Sequence, residues 1–423
     1  MNNERSTEEH WLNIARAQRW SWAVFILLAI TTAFFIKTHF ISEAPAAKPA
    51  RDLIAFWSAG RLALDGTPEL AYDHKELLAI SKAEIENAPL FHWLYPPSYQ
   101  LLMMPLAKLD YKAAYFFFMA TTLALLLSVA SKAIAQKRFL LPAIAFPAIF
   151  VTIIFGQNSF LSTSLALLGI LMLHKNQWLA GIAIGILTIK PHIAAILMLA
   201  LALGLHWKAL LSATLTSLLL AVLSWLIMGN AVWEAFIESL PNARHLLENG
   251  LLKWKFMTSV FVSARVLGLE NTTAYFMHAI LACAMIVAMA MVWTRSQNIN
   301  LKASSAALAT LTFSPYMFEY ELMLLAIPLI FLAKDAMLHG WLKLERETLA
   351  LTWAFPLINF IQQSNADTSI SATPIVAATL MAITLRRMRH DNTMAGNDRQ
   401  DSEPVHSHVQ RRIQHRCAAR GTD

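Results

Sequence analysis

The chain has little charge. Asp, Glu, Lys and Arg make up only 14% of its 423 residues, against roughly 25% in soluble domains. That shortage excludes an ordinary cytosolic enzyme and a disordered polymer. Cysteine is scarce as well. Cys283 lies in an apolar run and Cys417 in a polar tail, which excludes a disulfide scaffold and a paired-thiolate metal site. Several catalytic signatures are missing: the phosphate-cradling Walker loop, His-Glu-x-x-His and Gly-x-Ser-x-Gly. No Asp-x-Asp occurs, so a divalent-metal site is not signalled. Most apolar runs carry no charge, which weakens an ion-pump reading.

What is abundant is hydrophobic residues, 57% of the chain, at a mean hydropathy of +0.48. A membrane-crossing helix needs about 20 mostly apolar residues. The first such run is Trp20 to Ile41, preceded by Arg5, Arg16 and Arg19. It reads as a retained helix, not a cleaved signal. Others recur as far as residue 385 and suggest about 12 spans, several of them short enough to need a bundle around them. The fold expected is therefore all-α: a polytopic membrane helix bundle over 1–385, with two excursions at about 42–112 and 229–272. A polar tail over 386–423 is read as disordered.

The net charge of +7 is distributed as the positive-inside rule distributes it. Lys132, Lys137, Arg138, Lys175, Lys208, Arg295, Lys302, Lys334, Lys343 and Arg346 fall in alternate loops. With both termini cytoplasmic these loops lie inside, provided Tyr95–Leu106, broken by Pro96, Pro97 and Pro105, is interfacial or re-entrant. The charge thus speaks for a plasma (inner) membrane protein and gives no case for nucleic acid. In the tail, His406 and His408 offer metal-ligand chemistry, but a solvated tail accounts for them. Val232–Leu247 has apolar residues at helical spacing, suiting a helix on the membrane surface.

This topology collects polar residues on one face: Asp52, His92, Tyr95, Gln157, Asn158, Lys190, His192, Tyr316, Glu319, Glu321 and Asp367. Polar groups near bilayer depth are costly and mark a pathway or a site. Asp52 begins Asp52-Leu53-Ile54-Ala55-Phe56-Trp57. Two roles fit it, an N-cap and a general base; spacing alone favours the cap. Tyr95 and His92 fit a pocket wall or an interfacial aromatic belt. Lys190 beside Pro191 fits a phosphate site or a snorkelling lysine. Glu319 and Glu321, two apart, face different sides of a helix.

In order along the chain, these motifs resemble glycosyltransferase family 87. The resemblance rests on Asp52-Leu-Ile-Ala-Phe-Trp-Ser-Ala-Gly60-Arg61, Leu64-Asp65-Gly66, Ala71-Tyr72-Asp73, Tyr95-Pro96-Pro97 and Met104-Pro105-Leu106. It continues through Gly156-Gln157-Asn158, Gly181 leading to Ile189-Lys190-Pro191, and Ser314-Pro315-Tyr316. It covers about residues 20–335 and is similar to the polyprenol-phosphate-mannose-dependent α-mannosyltransferases. In those, a His commonly follows the Ser-Pro step; here Glu319 and Glu321 occupy that region.

The resemblance implies a GT-C architecture and a membrane enzyme using a polyprenyl-phosphate sugar, hexose or pentose. The acceptor would be a glycolipid or glycan at the outer face. It implies Asp52 as an inverting catalytic base, and Lys190 with His192 as holders of the departing phosphate. Tyr95, Gln157, Asn158 and Tyr316 would orient sugar hydroxyls, with His92 and Glu319 also assigned to sugar or acceptor binding. No cofactor is implied, since the lipid-linked sugar is a substrate and carries its own activation. A transporter or flippase of a lipid-linked sugar is the competing reading, but no matching halves of the kind transporters show are visible.

Overall fold

The computed structural model describes residues 10–41, 51–134, 136–365 and 370–401. Residues 42–50, Asp367 and the tail from 402, with His406 and His408, lie outside them.

The described chain is built of helices. These are α1 (Ile14–Ile36), α2 (Leu53–Leu64), α3 (His74–Glu84), α4 (Pro97–Met103), α5 (Tyr111–Ala133) and α6 (Leu140–Ile144). They continue as α7 (Pro147–Phe155), α8 (Ser159–Met172), α9 (Gln177–Ile186), α10 (Pro191–Leu203), α11 (Trp207–Met228) and α12 (Ala231–Glu248). The last six are α13 (Val260–Val266), α14 (Asn271–Arg295), α15 (Ile299–Phe313), α16 (Ala326–His339), α17 (Glu345–Ser364) and α18 (Thr373–Asp401). Among the described residues the extended structure is a single bridge between Met257 and Phe318.

Six helical stretches are long and apolar enough to cross a membrane: Ile14–Ile41, Tyr111–Ala133, Lys137–Phe155, Trp207–Met228, Asn271–Arg295 and Glu319–His339. Ser159–Met172, Gln177–Ile189 and Pro191–Leu203 are apolar but shorter, where the sequence suggested further spans. The chain interrupts itself there. Gly156 takes a left-handed φ of 66° and closes α7, a conformation that suits glycine. Pro191, without an N–H, starts α10 afresh after Lys190. The 95–106 stretch does not span: α4 has seven residues, about 10 Å of rise. The stretch expected to lie on the membrane surface is helical, as α12, and buries Val232, Leu246 and Leu247.

At the centre stands α15, whose residues 300–312 are all buried. It is covered on every side, since α10, α14, α16 and α18 pack against it. Small residues bring other helices together. A Cβ on Gly181 or Gly185 of α9 would strike the Ala209 or Ala213 carbonyl of α11, the close backbone approach that membrane helices use.

One expectation about the tail is corrected. The last helix does not end at 385 but runs on to Asp401. Arg387, assigned to a solvated tail, is only 2% exposed. It bonds Asp335 of α16 at 2.7 Å and both carboxylate oxygens of Glu345 in α17. A buried guanidinium needs such partners, and its neighbours in sequence do not reveal them.

Candidate active site

Asp52 stands at the N-terminus of α2, but it does not cap it. Its φ and ψ are already helical, and its side chain bonds no amide of the helix. The cap favoured by spacing is therefore absent, and the carboxylate is turned elsewhere. Its backbone N–H donates to the Phe155 carbonyl at 3.0 Å. Its Oδ2 accepts from Gln157 Nε2 at 2.7 Å. Both bonds reach the junction of α7 and α8, where the left-handed turn at Gly156 presents Gln157. The base candidate is thus aimed by a turn more than 100 residues away in sequence.

Gln157 links two groups. While its amide nitrogen serves Asp52, its oxygen accepts from the Tyr95 hydroxyl at 3.4 Å. Tyr95 sits in an aromatic wall with Phe56, Trp93 and Tyr99. The next residue, Asn158, is fully buried. Its carboxamide, beside Tyr95 and Tyr99, has no hydrogen-bond partner at either atom. Such groups cost about 1–3 kcal/mol each when left unmade.

Burial raises the Asp52 carboxyl from 3.8 to about 6. The Gln157 bond opposes that rise, as do the charges of Lys253, Arg51 and Lys190, in that order. At neutral pH the group is ionised yet basic enough to accept a proton, the range in which a general base works well. Burial also holds the Tyr95 phenol well above its ordinary value, so it remains a hydrogen-bond donor.

Lys190 was expected to await a phosphate. It is 2% exposed, and its ammonium is ion-paired with Glu321, over the ring of Tyr320. His192 follows on the first turn of α10, within reach of the Lys190 charge. The two glutamates divide as their spacing predicts. Glu321 faces Lys190. Glu319 turns to α17, accepting from Asn359 at 3.2 Å and from the Gln363 amide in the orientation that satisfies its neighbours.

Two expected residues stand apart from Asp52. His92 pairs with His74, Nδ1 to Nδ1 at 3.4 Å, and His74 contacts Asn242 of α12 at 2.7 Å. Desolvation, then the neighbouring His74, lowers the His92 imidazole to about 4, so it is neutral. Tyr316 packs in a separate apolar cluster around Phe261 and Leu247.

The order of these groups along the chain coincides with a family pattern. The sequence model of glycosyltransferase family 87 matches residues 93–315, a little over half of the chain. The chain belongs to glycosyltransferase family 87. Among curated proteins it is similar to an α-(1→3)-arabinofuranosyltransferase of Mycobacterium tuberculosis, found in strains CDC 1551 / Oshkosh and H37Rv. The identity is 28% over 165 residues, 36% of this chain and 38% of the relative. The match thus spans well under half of those relatives' length. These relatives are arabinofuranosyltransferases, not the mannosyltransferases suggested by the motifs. No solved structure matches the chain.

Family membership thus goes with six helical stretches long and apolar enough to cross a membrane, and the surroundings of Asp52 include residues that sequence reasoning missed. Lys253 is one. It lies in the second excursion, yet its charge acts on Asp52 more strongly than that of Lys190. The segment around it is fastened to the site. Phe256 stacks edge-on against Phe155, and Thr258 N–H donates to the Met317 carbonyl at 2.8 Å. Arg51 and Tyr320 are others. A signal for Lys253 was present, two lysines between aromatic residues in Leu252-Lys253-Trp254-Lys255-Phe256, but nothing local connects it with Asp52.

A cluster with metal-ligand chemistry does occur, formed by Asp335, His339 and Asp391. Asp335 is ion-paired with Arg387 towards the C-terminal end of α16, whereas Glu321 precedes the start of that helix.

Proposed function

We propose that this enzyme moves a sugar from a polyprenyl-phosphate donor to a hydroxyl of a lipid or glycan acceptor, at the outer face of the plasma membrane. The observation that carries this reading is Asp52: a carboxylate free of its helix, held by Gln157 and surrounded by Lys253, Arg51 and Lys190. Asp52 takes the proton of the acceptor hydroxyl while that oxygen attacks the anomeric carbon. The bond from that carbon to the phosphate oxygen breaks, and polyprenyl phosphate leaves on the opposite face. Configuration inverts. Positive charge close to Asp52 offsets the charge that builds on the leaving phosphate, a contribution that is usually large in catalysis.

Tyr95 and the open carboxamide of Asn158 supply hydrogen bonds for sugar hydroxyls. A donor already activated by phosphate needs no nucleotide, consistent with a chain that has no Walker loop. The relatives' arabinofuranosyl activity supports including pentoses beside hexoses as the sugar transferred. A lipid-anchored donor accounts for a site built at the ends of membrane helices.

The test is transfer by the purified full chain in lipid nanodiscs. Polyprenyl-phosphate hexoses and pentoses are offered with membrane lipid extract as acceptor. Asp52→Asn should lower transfer by about 100-fold or more with an unchanged melting temperature. Transfer by the variant at the wild-type rate would remove Asp52 as base. If the wild type moves the intact donor between leaflets without transferring sugar, and Asp52→Asn does so equally well, the protein is a flippase.

A further inference from the structure

The ion pair at Lys190 raises a question about charge. A sugar phosphodiester carries one negative charge. The phosphomonoester that leaves carries nearly two at neutral pH, since its second pKa is about 6. The site therefore needs cations to spare, and more of them as the bond breaks.

Lys190 has none to spare. Its charge is matched by Glu321, and both are almost fully buried. Glu321 Oε2 already has no hydrogen-bond partner. Drawing Lys190 away to a phosphate would strip the other oxygen too and leave a bare carboxylate in the interior, an expensive state.

Two other cations flank Asp52, and no carboxylate is ion-paired with either of them among the described residues. Arg51 is half-buried at the foot of α2, its guanidinium 4.6 Å from the ring of Phe35 in α1. Its Nε is buried without a hydrogen-bond partner. The α1 stretch is one of the two least covered among the candidate spans, so Arg51 stands where a lipid tail would approach. Lys253 approaches Asp52 from the second excursion. Its ammonium is exposed and lies 5.4 Å from the ring of Phe91. An arginine fork and a lysine point charge make a common phosphate seat.

We propose that Arg51 and Lys253, and not Lys190, hold the phosphate of the lipid donor, while the Lys190–Glu321 pair is a neutral wall of the pocket. This deepens the proposed function and rests on its lipid-phosphate donor. One cation balances the bound diester, and the second meets the charge that appears as the sugar departs. Lys190 and Glu321 together add no net charge and keep the adjoining wall fixed.

The test is binding of a polyprenyl monophosphate to the full chain in nanodiscs, with the neutral polyprenol as control. Arg51→Gln and Lys253→Gln should each weaken phosphate binding by about tenfold or more and leave polyprenol binding unchanged. Arg51→Lys and Lys253→Arg should recover most of the loss, which separates charge from folding. The double variant Lys190→Gln, Glu321→Gln should change the Kd by less than about threefold. Wild-type affinity in both single Gln variants would overturn the assignment. So would loss of phosphate binding confined to the Lys190, Glu321 double variant. If the wild type binds the phosphate no better than polyprenol, the donor reading itself falls, an outcome seen without any variant.

Discussion

Two buried ion pairs stand at opposite ends of α16, and they are completed differently. Around Arg387 the carboxylates are in use. Asp335 Oδ1 accepts from Asn298 at 2.7 Å and its Oδ2 from Arg387. Both oxygens of Glu345 accept from Arg387, and Oε2 accepts also from the Leu342 amide at 3.0 Å. Around Lys190, by contrast, Glu321 Oε2 and both amide atoms of Asn158 have no partner. The carboxylates around Arg387 are completed from within, because each unmade bond costs stability, and the gap there falls on a neighbour, Asn300 Oδ1. The pair at the site leaves gaps that a substrate's hydroxyls can fill. The cost of those gaps is borne by the fold until the substrate arrives.

Substitutions can break this comparison from either side. Asp52→Asn belongs at the top of the activity scale, with transfer falling by about 100-fold or more and the melting temperature holding. Arg387→Ala is its inverse. Two buried carboxylates lose their cation, so stability should fall by about 3–5 kcal/mol, read from chemical denaturation, while transfer per folded molecule persists. A matched fall in specific activity would show that the two ends are coupled. Replacing the whole inner pair, as Lys190→Met with Glu321→Leu, should leave stability nearly unchanged or raised and slow transfer through the altered wall. A large loss of stability would make Lys190–Glu321 a second structural latch.

The smallest effects concern pH. Folded Asp52 titrates near 6 against an ordinary 3.8, so the folded state holds this proton more tightly than the unfolded state. Its contribution to stability is complete below about pH 4 and is lost as pH rises through 6. Activity runs the other way. The rate at limiting donor should decline below pH 6, as the base fills with its proton. Gln157→Leu removes the bond that favours the carboxylate, so the acid limb of the rate profile should move to higher pH. An unmoved limb would mean that another group sets it.

How far the sequence reached can be judged residue by residue. Apolar runs identified the long helices, because span length is written in local composition. Gly156 and Pro191 showed where helices break, because glycine is free to make a left-handed turn and proline has no amide to donate. The division of Glu319 from Glu321 followed from helical spacing. The idle cap at Asp52 did not, since a capping residue and a free carboxylate look alike in sequence; only the turn at Gly156 decides between them. Lys253 was overlooked and Arg387 misjudged for a common reason: each stands near a carboxylate that is distant in sequence.

The bonds that aim Asp52 also have a consequence for how the protein is made. The ribosome delivers Asp52 early, but Phe155 and Gln157 come after α5, and Lys253 and Glu321 much later. Until residue 157 has been made, the nascent chain carries Asp52 without the groups that aim it. The surroundings of Asp52 are therefore complete only once segments from the later part of the chain settle beside the first.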